Sequence, residues 1–323
     1  MKKTSVLITT YQSAFLHPGG GEAELKNLVE VLRQIGIDAD IYGSMSRRIE
    51  AYDVVLHFSV HGESYDFVRT IKKMGKRLIL WPNLWWNEPP SRNELESFEM
   101  FLNISDIVIF KSKSEVKNIE KYASLENIIY KIVPWHIDKQ YIESAPVGLF
   151  QKIYGLSDYI LWVGSIEPVK NQLQVIETLH DCPVPLVFIG GYRDKSYFEQ
   201  CRLKASKDTI FVPFMDQGSD ILRSAYHGCS VYLELSTDPA GLSALEAALY
   251  EKPMVLSRND WAEEEFGDSI SLVDISNKQE IRNAVSEAIQ GMHKYKSKQK
   301  IIKNHLNPES LEPLVSVMQS TEI

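Results

Sequence analysis

The chain has 323 residues, of which 44% are hydrophobic and 24% charged, the composition of a globular protein rather than a disordered one. Its formal net charge of -8 argues against a nucleic-acid-binding protein, which needs a basic surface for phosphates. The length is sufficient for two domains of about 100–200 residues each.

The first half alternates short apolar runs with amphipathic segments. Leu25 to Ile35 carries apolar residues at helical spacing and ends at Gly36, and Tyr65–Met74 predicts a second helix. The apolar runs predict strands at Ser5–Thr10, Asp40–Tyr42, Val54–His57, Arg77–Trp81, Ile107–Phe110 and Ile128–Val133.

Ser144–Lys152, with Pro146 and Gly148, interrupts this alternation and is the predicted linker. Further strands are predicted at Tyr159–Val163, Leu186–Ile189, Thr209–Val212, Val231–Leu235, Met254–Leu256 and Ile270–Val273, followed by a helix at Lys278–Gly291. The pattern predicts an α/β protein with two doubly wound, Rossmann-like domains facing across a cleft. We assign residues 1–145 and 146–300 to the domains, and residues 301–323 to a tail that can return to the first.

Three widely spaced cysteines without metal-ligand spacing are typical of a reducing compartment. The apolar run Val6–Ile8 is shorter than that of a signal peptide, and no run approaches the about 18 apolar residues of a membrane span. We therefore expect a cytoplasmic protein. The basic stretch His293–Lys303 predicts a solvated helix face, with peripheral contact to the inner membrane face as the alternative.

Ligands of such sheets bind beyond the carboxyl ends of the strands, where three loops are unusual. The first, Pro18–Glu22, contains three glycines before a helix, whose free N–H groups suit an anion or sugar hydroxyls. The second, Trp162–Asn171, exits through Gly164 and carries Lys170, which can place a charge on a diphosphate. A flexible turn and a solvated lysine are the alternatives.

The third loop, Ser236–Ala247, holds two carboxylates eight residues apart, Asp238 and Glu246. A helix opening near Gly241 would let both address one ligand, with backbone amides available for phosphate. The alternatives are a helix cap for Asp238 and a surface position for Glu246.

In order, the three loops resemble the glycine-rich loop, the Val-Gly-Arg-Leu…Lys segment and the acidic-x₇-Glu signature of glycosyltransferase family 4, the retaining transferases of GT-B fold. Ser105–Ser112 and Val133–Asp138 resemble two further segments of that family. The resemblance covers nearly the whole chain.

This resemblance implies a retaining, metal-independent, hexosyltransferase-like enzyme with no cofactor beyond its co-substrate, a UDP- or GDP-sugar. The acceptor would be a glycan or lipid-linked glycan of surface polysaccharide or glycoconjugate synthesis, held by the first domain. In the second domain, Lys170 would neutralise the leaving diphosphate, Asp238 would bind the donor sugar, and Glu246 would bind the ribose hydroxyls. Further implied donor contacts come from Gly20, Gly21, Gly164, Ser165, Gly241, Leu242 and Ser243.

Two departures from the family pattern concern charge and acid–base chemistry. Ser165 stands where the family has an arginine, so Arg193 or Arg258 is a candidate for the missing cation. Pro82–Trp86 lacks the histidine that often follows the fourth strand. Acceptor-side candidates are Glu22, His57, His61, Asn83, Trp85 and Trp86, with core packing as the alternative for the histidines and tryptophans.

Three other functions stay open: an inverting transferase of the same fold, a nucleotide-sugar epimerase, and a catalytically silent sugar-nucleotide-binding subunit. The pair Asp38 and Asp40 has the spacing of a metal–diphosphate site. It falls in a predicted helix-to-strand turn, away from the ligand-binding strand ends, so we predict no metal.

Overall fold

The computed structural model describes residues 4–16, 19–292, 297–306 and 309–320. The chain divides into two compact units, Met1–His136 with Asn307–Ile323, and Ile137–Leu306. Each unit contains one six-stranded sheet in which every strand pair is parallel.

The sheet of the first unit has the order β2-β1-β3-β4-β5-β6. Its strands are β1 (Ser5–Thr9), β2 (Asp38–Ile41), β3 (Val54–Phe58), β4 (Arg77–Trp81), β5 (Ile107–Phe110) and β6 (Tyr130–Ile132). The helices between them are α1 (Gly20–Gln34), α2 (Tyr65–Lys73), α3 (Arg92–Ile104) and α4 (Lys113–Glu120).

The sheet of the second unit has the order β12-β11-β10-β7-β8-β9. Its strands are β7 (Ile160–Val163), β8 (Leu186–Ile189), β9 (Ile210–Val212), β10 (Val231–Glu234), β11 (Met254–Ser257) and β12 (Ser271–Val273). Its helices are α5 (Leu149–Tyr154), α6 (Gln172–Thr178), α7 (Lys195–Lys204), α8 (Asp220–Gly228), α9 (Leu242–Ala248), α10 (Asp260–Glu265), α11 (Lys278–Ile289) and α12 (Lys298–His305).

Strand β1 shows why continuous apolar runs form these sheets. Val6 and Ile8 pack on one face, whereas Leu7 packs on the other. Because helices cover both faces of a parallel sheet, every position of such a strand is buried and no polar alternation is left. The predicted α/β architecture with two Rossmann-like domains is confirmed.

The C-terminal helix α13 (Glu312–Gln319) packs in the first unit, where Leu314 and Met318 join the cluster that contains Val6. Helix α12 lies in the second unit instead, and the ring of its His305 bonds to Glu265 over 2.8 Å.

The division after His136 comes nine residues before the sequence-based boundary at residue 145. The reason is a turn at Lys139–Ile142 that is anchored on the second unit. The Gly218 N–H donates to the Tyr141 hydroxyl over 2.8 Å, and the Arg223 guanidinium donates to the Gln140 carbonyl over 2.8 Å.

No helix in the described part of the chain is both long and apolar enough to cross a bilayer. Of the predicted basic stretch, residues 293–296 lie outside the described residues, as does Pro18 of the glycine-rich loop.

Candidate functional site

In the second unit, Lys170 joins the loops that follow β7 and β10. Its ammonium nitrogen lies 3.2 Å from Oδ1 of Asp238 and 3.4 Å from Oε1 of Glu234. The loops also bond through their backbones, because the Thr237 N–H donates to the Val169 carbonyl over 2.9 Å. The structure thus brings together Lys170 and Asp238, which the sequence singled out.

The Lys170 side chain is only 15% exposed, so it is not the solvated lysine of the alternative interpretation. Burial by itself disfavours its charge, but the carboxylates of Glu234 and Asp238 outweigh that effect and raise the Lys170 pKa. Lys170 is therefore a cation at neutral pH.

Close backbone contact fixes the start of the Lys170 loop. A Cβ atom at Gly190, which follows β8, would lie 2.0 Å from the Gly164 carbonyl oxygen. Only glycine fits there, so the loops after β7 and β8 touch backbone to backbone. Beyond Gly164, the Ser165 hydroxyl donates to the Glu167 carboxylate.

Glu234, at the end of β10, was missed by sequence reasoning. Its side chain is 1% exposed and accepts hydrogen bonds from the hydroxyls of Tyr232, Ser236 and Ser243 over 2.7–2.9 Å. Burial raises its pKa, while Lys170 and the donors from Tyr232 and Ser243 oppose that shift. One signal was available, because a charged residue at the carboxyl end of an apolar strand is unusual.

Glu246 is buried in α9, which contradicts the alternative of a surface position. Its carboxylate accepts hydrogen bonds from the Gln217 amide and, over 2.9 Å, from the Tyr226 hydroxyl. Burial raises the Glu246 pKa to about 7, although these donors and Tyr141 favour the ionised form. Both Glu246 oxygens therefore already have protein partners.

Helix α9 begins after Gly241, whose φ of 68° favours glycine, and continues through Leu242 and Ser243. Because Gly241 is the N-cap, the alternative of a helix cap at Asp238 is wrong. Arg258, one candidate for the missing cation, bonds instead to the Leu272 carbonyl over 2.6 Å and contacts Glu280 over 3.4 Å. Arg193, the other candidate, has an exposed side chain.

In the first unit, Glu22 secures the start of α1. Its carboxylate accepts the Gly19 N–H over 2.7 Å and the Tyr11 hydroxyl over 2.8 Å. The Tyr11 ring in turn packs on exposed His61, with the ring centroids 4.3 Å apart. Glu22 and His61, both acceptor-side candidates, thus meet through Tyr11 at the carboxyl ends of β1 and β3.

A second cluster in the first unit centres on Lys111, at the end of β5, which sequence reasoning missed. Its buried ammonium donates to Glu24 over 2.7 Å and to Oδ1 of Asn83 over 2.8 Å. The same nitrogen lies over the Trp135 ring, 4.7 Å from its centroid. Asn83 itself is exposed and has a φ of 50°.

The first turn of α1, which contains Gly20 and Gly21 of the predicted glycine-rich loop, packs against this cluster. A Cβ atom at Gly21 would lie 3.2 Å from the Phe58 ring and 4.0 Å from Nδ2 of Asn83. Because Lys111 holds the amide oxygen of Asn83, the amide turns its N–H donors toward the start of α1.

His57 lies in the core. Its Nδ1 is 2.9 Å from the Thr9 hydroxyl and its Nε2 is 3.0 Å from the Ser64 hydroxyl. Burial lowers its pKa to about 4, so the ring is neutral at physiological pH. The acceptor-side assignment of His57 is therefore wrong, because the buried ring has both nitrogens bonded within the core.

The tryptophans after β4 differ in their surroundings. Trp86 packs edge-on against Phe98 and Tyr122, and its backbone exchanges two 2.9 Å hydrogen bonds with the Asn118 amide. Its ring therefore supports the loop, whereas Trp85 is half-buried.

Asp38 and Asp40 form ion pairs within the first unit. Arg47 contacts Asp38 over 2.7 Å, and Asp40 contacts both Arg33 and Arg47. Over the described ranges, no three His, Cys, Asp or Glu side chains group closely enough to hold a metal ion.

Residues 151–307 match the family model "Glycosyl transferases group 1", which spans most of the second unit. No curated protein matches the chain.

Among solved structures, sucrose-phosphate synthase from Thermosynechococcus elongatus has a TM-score of 0.78 at 15% identity, covering 98% of either chain. A UDP-forming α,α-trehalose-phosphate synthase from Burkholderia xenovorans has a TM-score of 0.71 at 12% identity, covering 98% of this chain and 100% of that one. An E. coli trehalose-6-phosphate structure bound with UDP-2-fluoro glucose has a TM-score of 0.69 at 12% identity, covering 99% of this chain and 100% of that one.

The solved structures show that the chain has the GT-B fold, and the family model shows that residues 151–307 are similar to group 1 glycosyl transferases. The resemblance inferred from the sequence is confirmed over residues 151–307, the segment that matches this family model.

Proposed function

We propose that this protein transfers a hexose from a UDP- or GDP-sugar to a glycan or glycolipid acceptor, with retention of anomeric configuration and without a metal. The observation that carries the proposal is Lys170, a buried cation between the ends of β7 and β10. A cation fixed in a water-poor loop stabilises negative charge far better than one in bulk water.

In the proposed reaction, the oxygen of an acceptor hydroxyl bonds to the anomeric carbon while the bond between that carbon and the diphosphate oxygen breaks. The electron pair of the broken bond leaves with the diphosphate, which takes up the proton of the acceptor hydroxyl. Lys170 stabilises the charge that develops on this leaving group. The N–H groups at the start of α9, near Leu242 and Ser243, contribute donors to the same phosphates.

The two carboxylates are proposed to bind different parts of the donor. Asp238 is 30% exposed and keeps accepting capacity beyond its contact with Lys170, which suits a sugar hydroxyl. The Glu246 carboxylate accepts hydrogen bonds from Gln217 and Tyr226 and would accept further ones from the ribose hydroxyls.

On the acceptor side, we propose that Asn83 and His61 face the acceptor, while buried Glu22 holds this region together through Gly19 and Tyr11. Exposed Asn83 has its amide oxygen fixed by Lys111, so it offers N–H donors to a saccharide oxygen. Trp85 is half-buried and offers a ring face for stacking.

A catalytically silent donor-binding subunit is the second candidate, and one observation favours it. Lys170 is surrounded by two carboxylates, while the family arginine is replaced by Ser165, whose hydroxyl is engaged by Glu167. The site therefore has less positive charge than the family pattern supplies.

A thermal-shift screen with UDP, GDP, CMP and their sugars tests donor binding, because a ligand of the folded state raises the melting temperature. UDP-glucose is the first donor to test, since the E. coli neighbour was solved with a UDP-glucose analogue. A stabilising nucleotide is then offered as its sugar, and release of nucleoside diphosphate is followed. Stabilisation without any release of the diphosphate supports the silent subunit, and no stabilisation by any of these ligands contradicts both.

A further inference from the structure

We infer that Glu234 is a positioning residue of the donor site and that it couples diphosphate binding to the uptake of a proton. This inference rests on the proposed function, because it takes Lys170 as the cation that meets the diphosphate.

Four hydrogen-bond donors surround the Glu234 carboxylate. Lys170 contacts one oxygen, and the hydroxyls of Tyr232, Ser236 and Ser243 occupy the remaining acceptor positions. A buried carboxylate with four donors is held in one orientation. Glu234 therefore fixes the position of the Lys170 ammonium from the side of the strand.

The charges around Lys170 do not balance. Glu234 and Asp238 together carry two negative charges against one positive charge. A diphosphate that contacts Lys170 would bring further negative charge to this group. Charges interact most strongly away from water, so the two carboxylates repel the bound diphosphate. The complex is therefore weakened unless one of the carboxylates takes up a proton.

Glu234 is the carboxylate that accepts the proton. Its side chain is almost fully buried, whereas Asp238 is 30% exposed and solvated. Burial already raises the Glu234 pKa in the free protein, and Lys170 is a main opposing influence. When Lys170 turns its charge to the diphosphate, this opposition weakens and Glu234 becomes protonated at a higher pH.

Calorimetry in two buffers of different ionisation enthalpy measures the protons taken up when UDP or GDP binds. We compare the wild type with Glu234→Gln, which has the same shape and no charge. Protons that the nucleotide or Glu246 exchanges on binding are common to both proteins. They therefore cancel when the proton uptake of Glu234→Gln is subtracted from that of the wild type. The expected difference is up to one proton per bound nucleotide, at pH values between the Glu234 pKa of the free protein and its higher pKa in the complex.

Affinity gives a second readout. For the wild type, the dissociation constant should rise about tenfold per pH unit where the proton is linked. Glu234→Gln should remove most of this dependence and, one pH unit above the start of the wild-type rise, bind the nucleotide about tenfold tighter than the wild type. Tyr232→Phe removes one donor but keeps the Glu234 carboxylate, so the pH dependence of the dissociation constant should move to higher pH. This variant provides the test if Glu234→Gln fails to fold.

Three results would overturn the inference. Equal proton uptake in wild type and Glu234→Gln leaves the donor site intact but removes Glu234 from the linkage. Uptake that disappears in Asp238→Asn and persists in Glu234→Gln assigns the proton to Asp238. If neither UDP nor GDP binds the wild type or Glu234→Gln, the proposed function itself fails.

Discussion

The ammonium group of Lys170 and the carboxylate of Asp238 lie 3.2 Å apart although 68 positions separate them in the chain. The parallel order of β7 and β10 causes this contact, because both strands end at the same edge of the sheet. A cation and a carboxylate are thereby presented together at the edge where such sheets bind ligands.

Replacing Lys170 by alanine should slow turnover while the fold is kept. The expected loss is about 2–4 kcal/mol of transition-state stabilisation, by analogy with removal of one preorganised donor. Turnover at saturating donor and the melting temperature are measured together. The exposed Lys207→Ala is the matched control. Wild-type turnover in Lys170→Ala would remove this residue from the leaving-group site.

Glu246→Ala should weaken binding of the free nucleoside diphosphate, because a carboxylate accepts both ribose hydroxyls. Charge-assisted hydrogen bonds of this kind contribute about 1.5–3 kcal/mol. Asp238→Ala should spare the free nucleotide and weaken the intact sugar donor. Calorimetry with both ligands distinguishes the two carboxylates, and unchanged nucleotide affinity in Glu246→Ala would leave that residue a packing role with Tyr226 and Gln217.

The stability of the protein should depend on the ionisation of Glu246. Its pKa rises from 4.5 to about 7 on folding, so its neutral form is favoured in the folded state. This contribution is fully present below pH 4.5 and is lost as the pH rises through about 7. Ionised Glu246 therefore destabilises the fold by up to about 3 kcal/mol.

Glu246→Gln should accordingly gain stability over the wild type as the pH is raised from 5 to 8. Urea unfolding at both pH values measures the difference. His57 and Glu115 also have shifted pKa values, but both residues are present in both proteins, so their contributions cancel. Parallel pH dependence in the two proteins would show that the Glu246 pKa is not raised.

The transferred sugar should keep its anomeric configuration. This expectation comes from the family resemblance, and buried Glu234 is bonded to Lys170 and three hydroxyls rather than open as a base. Proton NMR of the first-formed product reads the anomeric coupling directly. An inverted linkage would contradict the assignment to retaining transferases.

Transfer should proceed in excess EDTA. Asp38 and Asp40, the metal-like pair of the sequence, are occupied by Arg47 and Arg33. The double change Asp38→Ala with Asp40→Ala should leave the rate of transfer unchanged in EDTA and in manganese. Loss of transfer on chelation, with recovery in manganese, would show that a metal replaces Lys170 as the neutralising charge.

The sequence by itself determined the two sheets and most of their strands. Apolar runs such as Ile107–Phe110 and Leu186–Ile189 coincide with the observed strands because a strand covered on both faces favours apolar side chains at most positions. It also singled out Lys170, Asp238 and Glu246, since loops at the carboxyl ends of parallel strands follow directly from the predicted order of elements.

Only the tertiary structure decided which partners these side chains have. The contacts of Lys170 with Glu234 and of Lys111 with Glu24 join residues far apart in the chain. His57 resembled a site residue in sequence but is bonded within the core. Spacing along one chain predicts the period of a helix or strand, whereas burial and ionisation depend on contacts between elements, which local patterns do not encode.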